Sequence, residues 1–481
     1  NRTKDFFILI ASRAELESPA LTPLRRLLAQ DQGADLQGQS GSQSLFRFPV
    51  SEGPDLKPPG PPGSLGEEIA QLRARLPLFT NEQTRLIDKN VTEGHRLVRG
   101  VAGSGKSLIL THWAARLLQS HSAHRVLITY FNKGMNHLLR TMFESACRRL
   151  APESVGNLIE RLTIEHVASR NLIEAEPFDA VFIDEAQDME GAQLRQLYDL
   201  CLAKERGARN IILFSDDSQN IYGKKTLDEL RDSLPDALKF QGRTDVLRES
   251  YRSTQAILNL AVNLALDPKN IYGRGASRLL DYMRVAELSE HGLLVRPEDA
   301  PDGTYKVCYT DRQGMPPRVV RRETPRDSLS WVAEEIRRLV DDERISPGDI
   351  LVVTLKKPDR VEAALRGVRI PAAAYFGGRN NTLNMPGVGS DHVRCTTLFT
   401  CKGHESPICF FVLPEELEDI SWMKSSDVDA AAYERIRRCM LYVAVSRGML
   451  QQYVVGCESR FLKAAQAYSR SDGGTGLSPW T

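Results

Sequence analysis

Short apolar runs alternate with amphipathic stretches along most of the chain. The β-type runs lie at 97–99, 126–130, 180–183, 211–214, 350–353, 393–397 and 408–413, and helical patterns lie between them at 107–119, 135–150, 193–203 and 328–340. Strands that alternate with helices predict parallel sheets covered on both faces. Because one set precedes residue ~250 and another follows it, the pattern predicts two α/β domains of ordinary size.

The first 64 residues differ from this pattern. They contain one strand-like run (6–10), one helix-like run (22–29), a Gly/Ser/Gln-rich stretch and a Pro/Gly-rich segment at 57–64 that is typical of a stiff, extended linker. We therefore expect an N-terminal fragment and linker at 1–64, a first domain at 65–250 and a second at 251–481. The sequence starts without Met, so we also expect a segment upstream of Asn1.

Composition excludes some classes of protein. Of 481 residues, 41% are apolar and 26% charged, as in an ordinary soluble globular protein. No apolar run reaches the ~18 residues of a membrane span, so no membrane partner is expected. The eight cysteines are scattered without a CxxC, which disfavours a zinc site or disulfide framework and favours the cytoplasm. With a net charge of +1, a nucleic acid would need a local basic groove.

A glycine-rich segment follows the run at 97–99 and opens the helical stretch behind it. It matches G-x-x-x-x-G-K-[ST] in the strand-to-helix setting that a phosphate-binding loop requires, which a chance glycine turn would not explain. Lys106 is expected to reach the β/γ-phosphates of ATP and Ser107 to ligate Mg²⁺, while backbone N–H groups surround the phosphates. The expected loop residues are Gly100, Gly103, Ser104, Gly105, Lys106 and Ser107.

A second candidate element follows the buried-strand pattern at 180–183. It reads Asp184-Glu185-Ala186-Gln187-Asp188 and lies at the carboxyl end of a predicted strand, where open α/β sheets bind ligands. With the phosphate loop, Asp184 is expected to hold Mg²⁺ and Glu185 to orient and deprotonate the attacking water. A lone Asp-Glu pair is usually a solvated loop start; the loop upstream favours catalysis.

Together these elements resemble the superfamily 1 helicases of the UvrD/Rep type. Segments similar to the rest of that motif set follow in order between Leu78 and Cys457: 78–83 (Q motif), 129–133 (Ia), 214–222 (III), 249–253 (IV), 397–405 (V) and 441–447 (VI). The resemblance implies two RecA-like parallel-sheet P-loop domains with the ATP site between them and with little or no accessory 1B or 2B insertion. It also implies that the energy of ATP drives movement on nucleic acid.

The resemblance assigns roles to further side chains. At the ATP site it implies Gln83 and Tyr251 on the adenine, Glu405 on the ribose, and Gln219, Arg252 and Arg447 on the γ-phosphate, with Arg447 as an arginine finger. For the nucleic acid it points to Asn132, Lys133, Tyr222 and Lys402. Motif V departs from the family pattern at 399–401, 404 and 406, and no Trp or Phe follows Tyr222, so base stacking is expected elsewhere, at Phe131 or Tyr222.

Three functions stay open at this point. The first is an ATP-dependent DNA translocase or helicase, 3′–5′ by resemblance, acting on single-stranded DNA, with RNA not excluded; the short core predicts weak or partner-dependent unwinding. The second is a nucleic-acid-activated ATPase that regulates a linked nuclease in DNA repair or anti-phage defence. Residues 1–50 resemble the end of a nuclease-related domain but carry no nuclease constellation. The third is a nucleotide-binding switch without motor activity.

Overall fold

The computed structural model describes residues 64–75, 79–89, 94–203, 208–230, 234–235, 240, 242–273, 277–310, 312–377, 385–423 and 430–469. These residues belong to one compact unit, Pro54–Thr481. The predicted strand at 6–10, the helix at 22–29, the linker at 57–63 and Leu78 of the Q motif lie outside the described residues.

The first sheet has six strands, all parallel, in the order β3-β2-β4-β5-β1-β6. Its strands are β1 (Arg96–Gly100), β2 (Val126–Tyr130), β3 (Leu162–His166), β4 (Ala180–Ile183), β5 (Ile211–Ser215) and β6 (Thr244–Leu247). The helices of this half are α1 (Leu65–Arg75), α2 (Asn81–Ile87), α3 (Lys106–Ser120), α4 (Met135–Leu150), α5 (Val155–Glu160) and α6 (Gly191–Asp199). Since all six strands run in the same direction, the loops after them meet at one edge of the sheet.

The second half contains an antiparallel pair and another parallel sheet. The pair is β7 (Leu294–Val295) with β8 (Lys306–Val307), and the sheet contains β9 (Arg318–Arg321), β10 (Ile350–Thr354), β11 (Ala372–Tyr375), β12 (Val393–Thr397), β13 (Ser406–Val412) and β14 (Gly448–Gly456) in the order β11-β12-β10-β13-β14-β9. Its helices are α7 (Gln255–Leu266), α8 (Ser277–Tyr282), α9 (Val285–Glu290), α10 (Pro325–Asp341), α11 (Asp359–Gly367), α12 (Ala430–Val445) and α13 (Arg460–Ser469).

The central strands of both sheets are buried on both faces, as is usual for all-parallel sheets. Trp113 of α3 and Phe143 of α4 pack on one face of the first sheet, and Leu194 and Leu197 of α6 pack on the other. One apolar cluster runs from the second sheet into the first half, where it includes Ile221. The apolar cluster of the second half therefore reaches loops of the first half, while separate clusters cover the two faces of the first sheet.

The two six-stranded parallel sheets confirm the predicted α/β class with two RecA-like domains. The seven predicted strands all form, within two residues of the expected bounds. The pattern did not reveal the short pair β7 and β8 or, in the two sheets, β3, β6, β9, β11 and β14. Strand β14, for example, carries the buried polar pair Gln451 and Gln452. The helix expected at 193–203 ends at Asp199, because Cys201 bridges to Phe178 at the sheet margin.

Helix α1 shows a difference in packing from the sequence-based division. The predicted first domain begins at residue 65, yet Leu65, Ile69 and Leu72 pack in the apolar cluster of the second sheet. Arg73 also pairs with Asp349, which directly precedes β10. The start of the main body therefore covers the second sheet before the chain enters the first one.

Candidate functional site

The phosphate loop connects β1 to α3 and depends on two left-handed glycines. Gly103 has φ 76° and Gly105 has φ 84°, a region that side chains with a Cβ rarely adopt. A Cβ on Gly105 would also lie 2.4 Å from Nε2 of Gln83. That amide donates to the carbonyl of Ser104 at 3.0 Å, so the Q-motif glutamine contacts the loop itself.

Lys106 folds back over the same loop. Its Nζ donates to the carbonyls of Gly100 (2.9 Å) and Val101 (3.2 Å) and lies 3.7 Å from Oδ2 of Asp216. Only 7% of the side chain is exposed. The ammonium is thus held against the loop by its own backbone carbonyls.

The carboxylate pair lies at the end of β4, and the backbone turns sharply there. Glu185 has a left-handed φ of 52°, a conformation that costs about 1 kcal/mol or more for a residue with a Cβ. Asp184 accepts a 2.8 Å hydrogen bond from the Ser107 hydroxyl, and Glu185 accepts one from Gln187. The turn brings two consecutive carboxylates into one site although strand neighbours normally face opposite sides.

Burial and neighbouring charges separate the pKa values of these two carboxylates. Burial raises the pKa of Asp184, and the negative charge of Glu185 raises it further. Burial also opposes ionisation of Glu185, but the cations Lys402 and Lys106 outweigh it and lower its pKa. Of the two carboxylates, Glu185 therefore has the lower pKa.

The pair Ser107 and Asp184 fits a magnesium ion. Mg²⁺ usually takes one or two carboxylates, several waters and substrate phosphates instead of a closed protein cage. Beside the phosphate loop, the Ser107 hydroxyl and a carboxylate oxygen of Asp184 lie 2.8 Å apart and could both bind such an ion. Among the described residues, no group of three or more His, Cys, Asp or Glu side chains forms an alternative metal site.

A chain of polar contacts joins the phosphate loop to the second half. Asp216, which lies near Lys106, accepts from Nε2 of Gln219 at 2.7 Å. Oε1 of Gln219 accepts from Nη2 of Arg447 at 3.0 Å, and Arg447 is anchored by its Nε to the carbonyl of Val443 at 2.9 Å. Arg447, just after α12, is thereby brought to the loop that follows β5 and contacts the candidate ATP site.

The other cation assigned to the γ-phosphate has a partner of its own. Nη1 of Arg252 donates to Oε2 of Glu405 at 2.8 Å, and both side chains are largely buried. Tyr251 donates from its backbone N–H to the Gly103 carbonyl at 3.3 Å and from its hydroxyl to Glu249. Motifs IV and V therefore meet beside the phosphate loop.

Two of the predicted nucleic-acid residues contact the opposite half of the protein. Nδ2 of Asn132 donates to the backbone carbonyls of Lys402 (2.8 Å) and Thr400 (3.3 Å). The Lys402 side chain has no exposed surface, and its Nζ lies 2.5 Å from Oδ2 of Asp188. Lys133, in contrast, is exposed. The structure thus separates Lys133 at the surface from Asn132 and Lys402 in the interior.

Four aromatic rings form a row across both halves. The centroid distances are 4.9 Å from Phe131 to Tyr222, 5.6 Å from Tyr222 to Phe399 and 5.6 Å from Phe399 to Trp422. Trp422 is 52% exposed, and Nζ of Lys356 lies 5.9 Å from its ring centroid. We call Phe131, Tyr222, Phe399 and Trp422 the aromatic row.

Sequence reasoning gave no role to several residues of this region. Asp188 pairs with Lys402, and Asp216 lies near Lys106. Both aspartates belong to recognised motifs, so the only sequence signal for these pairs was the presence of a carboxylate in each motif. Phe399 was noted only as a departure from the motif. Trp422 belongs to no motif, and no sequence signal could have placed it beside Phe399.

A DNA/RNA helicase domain is the class of protein that the comparisons support. Residues 95–270 match the family model described as Schlafen group 3, DNA/RNA helicase domain, which covers less than half of the chain. The chain therefore contains a helicase-like domain. No curated protein matches the chain.

The chain also has a low similarity to several solved helicase structures. The DEAD-box helicase Mss116 bound to ssRNA and UDP-BeF is 12% identical, covers 83% of this chain and 76% of its own, and has a TM-score of 0.44. The C-terminal domain of a possible DNA helicase from Lactobacillus plantarum WCFS1 is 17% identical and has a TM-score of 0.27. The match covers 45% of this chain and 94% of that domain. The PRRSV helicase is 14% identical and has a TM-score of 0.32. The match covers 78% of this chain and 54% of that helicase.

None of the helices in the described part of the chain has the length and apolar content that crossing a lipid bilayer requires.

Proposed function

We propose that the protein is an ATP-dependent nucleic-acid motor that hydrolyses ATP when single-stranded nucleic acid is bound. The observation that carries the proposal is a chain of polar contacts between the two halves of the protein. It leads from Lys106 of the phosphate loop through Asp216 and Gln219 to Arg447, which follows α12 in the second half. A motor needs such a composite site, because ATP can then change the relation between two domains.

The chain's own residues divide the hydrolytic work. Lys106 and the loop N–H groups bind the phosphates, and Glu185 holds and deprotonates the attacking water. Arg447 and Arg252 place positive charge on the γ-phosphate as negative charge develops there. Mg²⁺, held by Ser107 and Asp184, would neutralise charge on the β- and γ-phosphates. For Arg252 this role requires release from Glu405, which would then be free for the ribose.

The aromatic row supports single-stranded nucleic acid as the activator. Stacking of a base on an aromatic side chain contributes about 1–3 kcal/mol and tolerates every base. The row extends from Phe131, after β2, to Trp422 in the second half. Lys133 and Lys356 supply positive charge near its two ends. A strand along this row would contact both domains, which is what coupling to ATP-driven closure requires.

The test is ATP turnover of the full chain with and without single-stranded DNA or RNA of equal length. A motor or a nucleic-acid-activated ATPase should be stimulated at least ~10-fold, because effector coupling typically reaches 5–150-fold. Lack of stimulation by either strand would favour the nucleotide-binding switch instead. Comparing the two strands at the same salt concentration also decides between DNA and RNA.

Unwinding is a separate step of the proposal. By resemblance to the UvrD/Rep type we infer 3′–5′ movement on DNA, with weak unwinding by this short core. Strand displacement on duplexes with a 3′ or a 5′ tail measures both properties. Stimulated ATPase without displacement on either substrate would favour the second function, an ATPase that regulates a linked nuclease. Displacement from the 5′ tail alone would contradict the direction.

A further inference from the structure

We infer that Lys402 is an internal positioning residue that transmits strand binding to the ATP site, and that it does not bind a phosphate of the strand. The inference rests on the proposed function and changes the role that the motif resemblance gives to this lysine. Its basis is the position of one fully buried ammonium group between the catalytic carboxylate and the aromatic row.

The ammonium of Lys402 reaches from the second half into three groups of the first. Nζ lies 2.5 Å from Oδ2 of Asp188, 2.7 Å from the carbonyl of Gln219 and 3.7 Å from Oε2 of Glu185. These groups belong to the two loops that carry the proposed base and the γ-phosphate sensor. One side chain therefore fixes both loops at once.

The backbone of Lys402 is also held by the first half. Its carbonyl accepts from Asn132 at 2.8 Å, and the ring of His404 lies 2.8 Å from the Gly134 carbonyl. Gly403 has φ 84°, and a Cβ there would lie 1.8 Å from Sδ of Met135, so the loop packs tightly on the start of α4. The ammonium cannot reach a solvent phosphate unless this loop leaves α4.

The ammonium of Lys402 also lies close to the aromatic row. Nζ lies 5.9 Å from the ring centroid of Tyr222, a distance within the range of a cation–π contact. Phe399 contacts Tyr222 and precedes Lys402 by three residues in the same loop. A base that stacks on Tyr222 or Phe399 would therefore rest on a ring that contacts the lysine or belongs to its loop.

The deciding experiment is Lys402→Met in the full chain, because Met keeps the length of the side chain and removes its charge. We expect affinity for an oligothymidylate within ~2-fold of wild type and the same salt dependence, while stimulation of ATP turnover falls at least ~10-fold. A direct phosphate contact would instead reduce the slope of log affinity against log salt by about 0.7 for a single strand.

A second variant protects the test against misfolding. Lys402→Met leaves Asp188 without its cation in a buried site, so the double variant Lys402→Met/Asp188→Asn removes both charges with little change of shape. The double variant should show the same retained affinity and the same loss of stimulation. Lys463→Met, at a lysine that is 62% exposed, is the matched control and should behave as wild type.

The outcomes separate this inference from the function it rests on. Wild-type stimulation in the double variant, or a reduced salt slope in either variant, would overturn the role of Lys402 alone. A wild-type chain that hydrolyses no ATP with any strand would refute the proposed function itself. Loss of stimulation with unchanged strand affinity supports both.

Discussion

Arg447 donates from Nη2 to Oε1 of Gln219 at 3.0 Å, and this bond joins the end of α12 to the turn after β5. Both side chains are buried, at 2% and 3% exposure. Gln219 in turn donates to Asp216, which lies beside the phosphate-loop lysine. The residue proposed as γ-phosphate sensor and the candidate arginine finger are therefore in direct contact.

We expect Arg447→Ala to lower kcat for ATP at least ~10³-fold, since an arginine finger contributes about 10³–10⁵ in phosphoryl transfer. ATP affinity should change much less, because the phosphate loop remains intact. Steady-state ATPase with single-stranded DNA and equilibrium binding of a fluorescent ATP analogue measure the two effects. Arg148→Ala, at an arginine that is 69% exposed, is the control. Near-normal kcat in Arg447→Ala would remove the arginine from the mechanism.

Substitutions of Lys106 and Glu185 should affect ATP binding and ATP turnover differently. Lys106→Ala is expected to reduce both ATP binding and turnover, because its ammonium is the charge proposed to bind the phosphates. Glu185→Gln should lower turnover at least ~10²-fold but still bind ATP, because it removes the base and leaves the loop. Turnover and analogue binding of both variants give the comparison. Retained hydrolysis in both would defeat the assignment of the ATP site.

The exposed end of the aromatic row provides a test of the nucleic-acid surface. Trp422→Ala should weaken binding of single-stranded DNA by about 1–3 kcal/mol, the usual contribution of one stacked base. The strand concentration for half-maximal ATPase should rise accordingly, while kcat at saturating strand is kept. Ile173→Ala, at an apolar residue that is 72% exposed and outside the row, is the control. Equal effects of both substitutions would exclude Trp422 from the strand path.

Local sequence patterns predicted one class of feature and not another. The phosphate loop and the Asp184-Glu185 pair could be predicted because a short segment at a strand end contains the whole feature. The contact of Lys402 with Asp188 joins residues 214 positions apart, so only the packing of the two sheets reveals it. The motif resemblance assigned Lys402 to the nucleic acid, because a motif gives a residue's position in the sequence but not the direction of its side chain.

Asp217 provides a prediction about pH that does not depend on ATP. Only 8% of this residue is exposed. Burial raises the pKa of its carboxyl to about 6; the charge of Asp216 adds to the rise, and Arg99 opposes it. The folded state thus binds this proton more tightly than the unfolded chain, whose pKa is near 3.8. Above pH 6 the fold must contain a buried charge, and that cost disappears as the pH falls below 4.

Asp217→Asn removes this cost, so we expect the variant to be more stable than wild type at pH 8. The difference between about 6 and 3.8 sets an upper bound on the order of 3 kcal/mol, and the gain should shrink as the pH falls from 6 to 4. Thermal unfolding of both proteins from pH 4 to 8 measures it, with the exposed Asp342→Asn as the control. A gain that is independent of pH, or a loss of stability at pH 8, would contradict this prediction. Either result would show that ionised Asp217 has no net cost in the fold, because its contact with Ser215 or the charge of Arg99 compensates for burial.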